Sequence, residues 1–146
     1  MKKKYVLDSQ FLIRAVRRDE EAERMRQFLS ASLVYLSSVV VQELLAGARD
    51  GELRSLHKHF FRPFERKGRV VTPTHRGWTD AGNILRKLRA AGWQITPSLT
   101  NDVLIAVSVT QIGATLVHDN ERDYREIKRH YPRLRHRVGW PEREAA

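Results

Sequence analysis

The chain has 146 residues, enough for one hydrophobic core and too few to call for a second domain. It carries 27 Lys and Arg against 17 Asp and Glu, a formal net charge of +10, and it has no cysteine. Disulfides, thiolate metal sites and cysteine nucleophiles are thereby excluded; a polyanionic partner such as nucleic acid is favoured, and the lack of cysteine suits a reducing, cytoplasmic setting.

The opening KKKYVLDSQFLI places a basic run before an apolar strand, Lys4–Leu7, which ends at Asp8; apolar residues resume at Phe11, Leu12 and Ile13. The break at Asp8 leaves the apolar stretch too short for a secretory leader, and nowhere does an uninterrupted apolar run approach the ~18 residues of a membrane span. Asp19–Leu29, DEEAERMRQFL, leads with acids and repeats Met25, Phe28 and Leu29 at helical spacing, which predicts an amphipathic surface helix. A strand over Leu33–Leu36 follows, then a helix capped by Ser37 or Ser38 that carries VVVQELLAGA, with Gly47 and Gly51 bracketing its end. Leu53–Arg66 reads as a helix interrupted near Pro63, and Arg69–Val71 as a short strand. Arg76–Ala91 spaces Trp78, Ala81, Leu85 and Leu88 by threes and fours before Gly92 stops it.

The segment TPSLTNDVLIAVSVTQIGATLVHDN predicts a helix from about Asn101 to Gln111, apolar on nearly all sides and therefore buried, a turn at Gly113 and a strand over Ala114–Val117. Leu134–Val138 reads as an edge strand. The alternation of brief strands with helices predicts an α/β domain over residues 1–138, with a central, mainly parallel sheet covered by helices and a loose tail over 139–146.

Ligands in parallel sheets gather at the carboxyl ends of the strands, where acids recur in this chain. Asp8 ends the first strand, Asp119 follows the fourth, Asp102 opens the buried helix, and Glu43 lies within VVVQELLAGA. Taken singly, Asp102 also reads as a helix cap and Asp119 or Asp123 as ordinary turn acids. Glu43 and Asp8 resist that reading, because a carboxylate among Val, Leu and Ala costs free energy unless it is exposed or paired. As a set, the acids repel one another and coexist comfortably once a cation neutralises them. With oxygen ligands and no thiolates, the physical choice is Mg²⁺ or Mn²⁺.

These residues resemble a PIN-domain ribonuclease, and among those the VapC toxins of toxin–antitoxin pairs, from about Tyr5 to Tyr124. YVLDSQFLI is similar to the family's opening strand and first acid, VYLSSVVVQELLAGA to its Ser-to-Glu-Leu motif, NDVLIAVSVTQIGATLV to its third-acid helix and strand, and HDNERDY to its closing motif. The resemblance implies a three-layer α/β/α PIN-like fold and a metal-dependent endoribonuclease using Mg²⁺ or Mn²⁺. It places Asp8, Glu43 and Asp102 at the metal, with Asp119 or Asp123 as the fourth acid, and gives Ser9 and Asn120 supporting polar roles. HDNERDY departs from the family in having His118 where Thr or Ser is usual, and Ser9-Gln10 stands where Thr-Asn is usual. The resemblance further implies an RNA substrate, a homodimer and a cognate antitoxin. The competing readings are a PIN-like module that binds nucleic acid or protein without cleaving, and a DNA-directed, structure-specific nuclease.

Two basic segments remain. LHKHFFRPFERKGR interleaves cations with Phe60, Phe61 and Phe64, and a helix burying its Phe face explains it better than base stacking does. KRHYPRLRHR, with Lys128, Arg129, Arg133, Arg135 and Arg137, shows little apolar periodicity and is the better candidate for phosphate contact. Six histidines do not make a zinc site, because no HExxH or paired spacing occurs.

Overall fold

Five short runs rich in Val, Leu and Tyr form the sheet: β1 (Lys4–Leu7), β2 (Leu33–Ser37), β3 (Val70–Val71), β4 (Thr115–His118) and β5 (His136–Val138). A computed structural model, which describes residues 2–141, orders them β3-β2-β1-β4-β5 with every neighbouring pair parallel. Val6 stands opposite Tyr35 on one side and Leu116 on the other, so β1 is the central strand and is buried on both faces toward its carboxyl end. The expectation of a mainly parallel sheet holds, and the three-layer α/β/α arrangement is present.

Helices make the crossovers that parallel strands require. α1 (Ser9–Arg17) and α2 (Asp19–Ala31) lead from β1 to β2; α3 (Ser38–Ala46), α4 (Glu52–Leu56) and α5 (Arg62–Arg66) lead on to β3. α6 (His75–Ala90) and α7 (Pro97–Gln111) carry the chain back past β2 and β1 to β4, and α8 (Glu121–His130) reaches β5. The winding therefore reverses between β1 and β4. In open α/β sheets that reversal leaves a crevice at the strands' carboxyl ends, which is where Asp8 and Asp119 emerge.

α7 is buried almost all round, with Leu99, Val103–Val107 and Val109 in the core, as its apolar pattern predicts. It begins a turn earlier than Asn101, because Thr96 caps it by accepting the Leu99 N–H at 3.1 Å and Pro97 fits the first helical position. Asp102 consequently lies in the second turn and does not cap the helix. In the segment expected to break near Pro63, the widening falls one turn earlier, as a π-helical turn over His57–Phe61. Proline offers no N–H to the carbonyl four residues back and crowds it, and a wider turn relieves both. Phe60, Phe61 and Phe64 point into the core while His57, Lys58 and His59 stay exposed.

Two helices escape the sequence pattern. α1 starts directly after Asp8, whose side chain caps it, and α8 hides its apolar signal in Tyr124 and Ile127 among charges. Part of the expected tail is also docked. Trp140 packs edge-on to Phe11 with ring centroids 4.8 Å apart and against Phe28 at 5.2 Å, and the Gly139 N–H donates to the His118 carbonyl. The remainder of that tail, 142–146, lies outside the described residues. No helix among the described residues is long and apolar enough to cross a membrane.

Candidate active site

Asp8 leaves β1 with its backbone N–H still donating to Val117 of β4, so the sheet itself fixes where the carboxylate stands. The side chain is buried, and its Oδ1 accepts the Ser9 N–H at 2.8 Å, which caps α1. Burial raises the Asp8 pKa; hydrogen bonds from Ser9 and Tyr124 oppose the rise, and Asp119 adds repulsion.

Asp102 is brought to the same crevice by α7 and is 6% exposed. Two donors from the α8 end reach it: Asn120 Nδ2 donates to Oδ2 at 3.3 Å, and the Tyr124 hydroxyl donates to Oδ1, also at 3.3 Å. Even so, its pKa is pushed up to about 8, first by desolvation and then by the charges of Asp8, Asp123 and Glu43. Glu43, on α3, is half-buried; Asn101 lies within hydrogen-bonding influence of its carboxylate and opposes a rise in its pKa, while Oε1 is buried without a hydrogen-bond partner among the described residues. Desolvation and the neighbouring Asp8 push it up to about 7. Beside it, between α3 and the start of α7, Gln42, Ala46, Ile95, Pro97 and Asn101 line an open depression of about 560 Å³.

The two candidates for a fourth acid part company here. Asp123 shares the Asn120 amide with Asp102, accepting from Nδ2 at 3.1 Å, and its charge is among those that raise Asp102. Asp119 instead forms an ion pair with Arg14 of α1, whose guanidinium lies 4.6 Å from the Phe11 ring centroid. Asp119 is close enough to repel Asp8, but its charge is already offset. Among the described residues, the carboxylates drawn together without an ion-paired cation are thus Asp8, Glu43, Asp102 and Asp123, with Ser9 and Asn120 donating among them.

This donor set suits a hard divalent cation in a particular way. Among the described residues, no three acidic or imidazole side chains sit close enough to chelate one ion directly. Mg²⁺ commonly keeps several waters and takes only one or two carboxylates, so a hydrated ion fits oxygens that line a crevice. The unpartnered Glu43 Oε1 and the mutual repulsion at Asp102 are the features a cation would relieve.

Most of the predicted phosphate-contact cations are engaged elsewhere. Lys128 Nζ donates to the carbonyls of Pro132 and Leu134, where it staples the turn after α8. Arg129 pairs with Glu126, Arg133 with Asp80, and Arg137 Nη2 donates to the Trp140 carbonyl, while Arg135 is exposed.

The crevice also contains residues that the sequence did not single out. Tyr124 is fully buried, with its hydroxyl pKa held well above the usual value, and its ring lies tilted against His118 with centroids 4.4 Å apart. His118 is fully buried too, 2.8 Å from His136 of β5 through ring nitrogens. Nothing in the sequence pairs residues 118 and 136; their meeting depends on β4 and β5 lying side by side in register.

The family model for the PIN domain matches residues 5–130, and the chain belongs to that family. No curated protein matches it. Among solved structures it is similar to a chain of DNA-bound VapBC from Salmonella typhimurium, at 24% identity and a TM-score of 0.68 over 93% of this chain and 98% of that one. It is also similar to a chain of VapBC2 from Rickettsia felis bound to a DNA fragment from their promoter, at 21% identity and a TM-score of 0.67 over 94% and 99% of the two chains. FitAcB from Neisseria gonorrhoeae gives 18% identity and a TM-score of 0.64 over 90% and 95%.

Proposed function

We propose that this PIN-domain protein is a Mg²⁺- or Mn²⁺-dependent endoribonuclease and the toxin of a VapC-type toxin–antitoxin pair. The observation that carries the reading is the group Asp8, Glu43, Asp102 and Asp123, gathered at the reversal of a parallel sheet, with the pKa values of Asp8, Glu43 and Asp102 raised by burial and by neighbouring acids and, among the described residues, no cationic side chain paired to Asp102. Carboxylates arranged so are unfavourable for folding alone, and perturbed acids in a cleft mark sites of chemistry. Asp8, Asp102 and Glu43 would hold the cation, directly or through water, with Asp123 at the rim; when bound, the ion supplies positive charge that acidifies a coordinated water and offsets charge on a phosphodiester.

The chain's own part is positional. The sheet and the Ser9 cap fix Asp8, while Asn120 and Tyr124 orient the Asp102 oxygens. Without a cation the Asp102 carboxyl, at about 8, keeps its proton near neutrality, so binding the ion would release it. The net charge of +10 favours a polyanion around the acidic crevice. Full-length likeness to chains of VapBC complexes supports a partner protein, read here as the antitoxin; the homodimer and the cytoplasmic setting belong to the same proposal.

Incubating the protein with matched single-stranded RNA and DNA, in Mn²⁺ and in EDTA, tests the reading. RNA cleavage that requires the cation and falls at least about 100-fold in Asp8→Asn is expected. Cleavage indifferent to EDTA would refute it, DNA preference would reassign the substrate, and binding without cleavage would mark a non-catalytic module.

A further inference from the structure

Both donors that orient Asp102 depend on one buried imidazole. The Asn120 backbone N–H donates to His118 Nδ1 at 3.0 Å, which fixes the residue whose side-chain amide bridges Asp102 and Asp123. The His118 ring also lies against Tyr124, whose hydroxyl takes the other Asp102 oxygen. A backbone N–H can only donate, so Nδ1 of His118 must be bare and its proton must sit on Nε2. That Nε2–H then points at His136 Nδ1, 2.8 Å away, and His136 in turn must carry its proton on Nε2. The ring planes are within 28° of each other and the centroids 5.0 Å apart, as an in-plane N–H···N bond requires, with His118 inaccessible to solvent and His136 half-buried on the last strand.

We infer that His118 and His136 form a tautomer-locked pair that positions the acidic crevice: the Asn120 N–H on one side and His136 of β5 on the other hold His118 in the Nε2–H form, and His118 sets Asn120 and Tyr124 against Asp102. The inference rests on the proposed cation site for its functional consequence and on geometry alone for the lock. His118 is a positioning residue, because it touches no carboxylate of the crevice itself. Outer hydrogen-bond partners of this kind fix ligand orientation, and their loss commonly weakens metal affinity or activity by about 10–100-fold. Asn in place of His118 can present an oxygen where Nδ1 stands, whereas Leu fills space without accepting.

The full chain labelled with ¹⁵N tests both halves. In cation-free buffer at neutral pH, long-range ¹H–¹⁵N spectra are expected to show His118 and His136 each protonated at Nε2 and bare at Nδ1; a proton on His118 Nδ1 overturns the lock. His118→Leu is expected to shift the Asn120 side-chain amide resonances and to weaken Mn²⁺ binding about 10–100-fold, with His118→Asn restoring most of both. If His118→Leu fails to fold, His136→Phe at the sheet edge serves instead: with no acceptor left for its Nε2–H, the His118 ring is held on one side only, by the Asn120 N–H, and the Asn120 side-chain amide resonances should shift. Asn120 resonances unmoved by a folded His118→Leu or His136→Phe overturn the positioning role. Should the wild-type chain bind no Mn²⁺, the proposed cation site fails, while the tautomer and the Asn120 resonances still decide this inference.

Discussion

Glu43 shows how far a single residue can be read. Its place in VVVQELLAGA makes it conspicuous in the sequence, and in the fold one oxygen is buried without a partner while its pKa rises to about 7. Asp8 was legible for the same reason, since a charge set in an apolar run has a cost that something must offset, whereas Asp102, which taken alone reads as a helix cap, stood out only as one of the set. The fourth acid was not legible, because Asp119 and Asp123 look alike until Arg14, more than a hundred residues earlier, claims Asp119. Two predictions belong at this scale. Asp8→Asn keeps the oxygen that caps α1 but removes a charge, so in cation-free buffer its melting temperature should rise by about 2–4 °C, the equivalent of roughly 1 kcal/mol; calorimetry that finds no rise argues against a crowded site.

The second concerns pH. Asp102, at about 8 when folded against an ordinary 3.8, still holds its proton at pH 7, where the unfolded chain has released it; Glu43, at about 7 against 4.5, behaves alike. The folded state thus binds more protons, and stability falls as pH rises through these folded values. Thermal melts without divalent cation should drop between about pH 5 and 8 and level off above, and millimolar Mg²⁺ should remove most of the drop.

At the scale of elements, what could be read depended on periodicity. α7 announced itself as buried, and the helical spacing gave α6, although its buried stripe runs through Gly77, Ala81, Ile84 and Leu88 while the expected Trp78 is exposed. α1 did not, because the residues that begin it follow a strand without a loop and the cap is the acid that also serves the crevice. α8 was obscured by charge; its buried face is essentially Tyr124 and Ile127, and the next cation that seemed free, Lys128, is spent on the turn beyond it. The start of α7 matters most to the site, since it sets where Asp102 lies. Thr96→Ala removes the cap and should cost about 1 kcal/mol in denaturant unfolding, with the loss appearing in the midpoint rather than the slope. A change of slope would show that the cap was not the only thing altered.

Across the whole molecule, the strand order β3-β2-β1-β4-β5 does the assembling. It was foreseen as a parallel sheet, but the reversal between β1 and β4, and the pairing of β4 with β5 that brings His136 to His118, are long-range facts beyond any local pattern. The same arrangement sets an acidic crevice in a chain with a net charge of +10. Attraction of RNA should therefore come from the surrounding cations and weaken with salt: affinity for single-stranded RNA, measured with EDTA present, is expected to fall about tenfold or more between 50 and 200 mM salt, and a flat response would remove charge as the source of binding.

The most direct test of the central claim is a calorimetric titration of Mn²⁺ into the full-length protein and its Asp102→Asn variant at about pH 7.5. A gathered set of carboxylates predicts saturable binding in the wild type and a loss of at least about tenfold in the folded variant. No binding at millimolar Mn²⁺, or equal affinity in the two proteins, would contradict it.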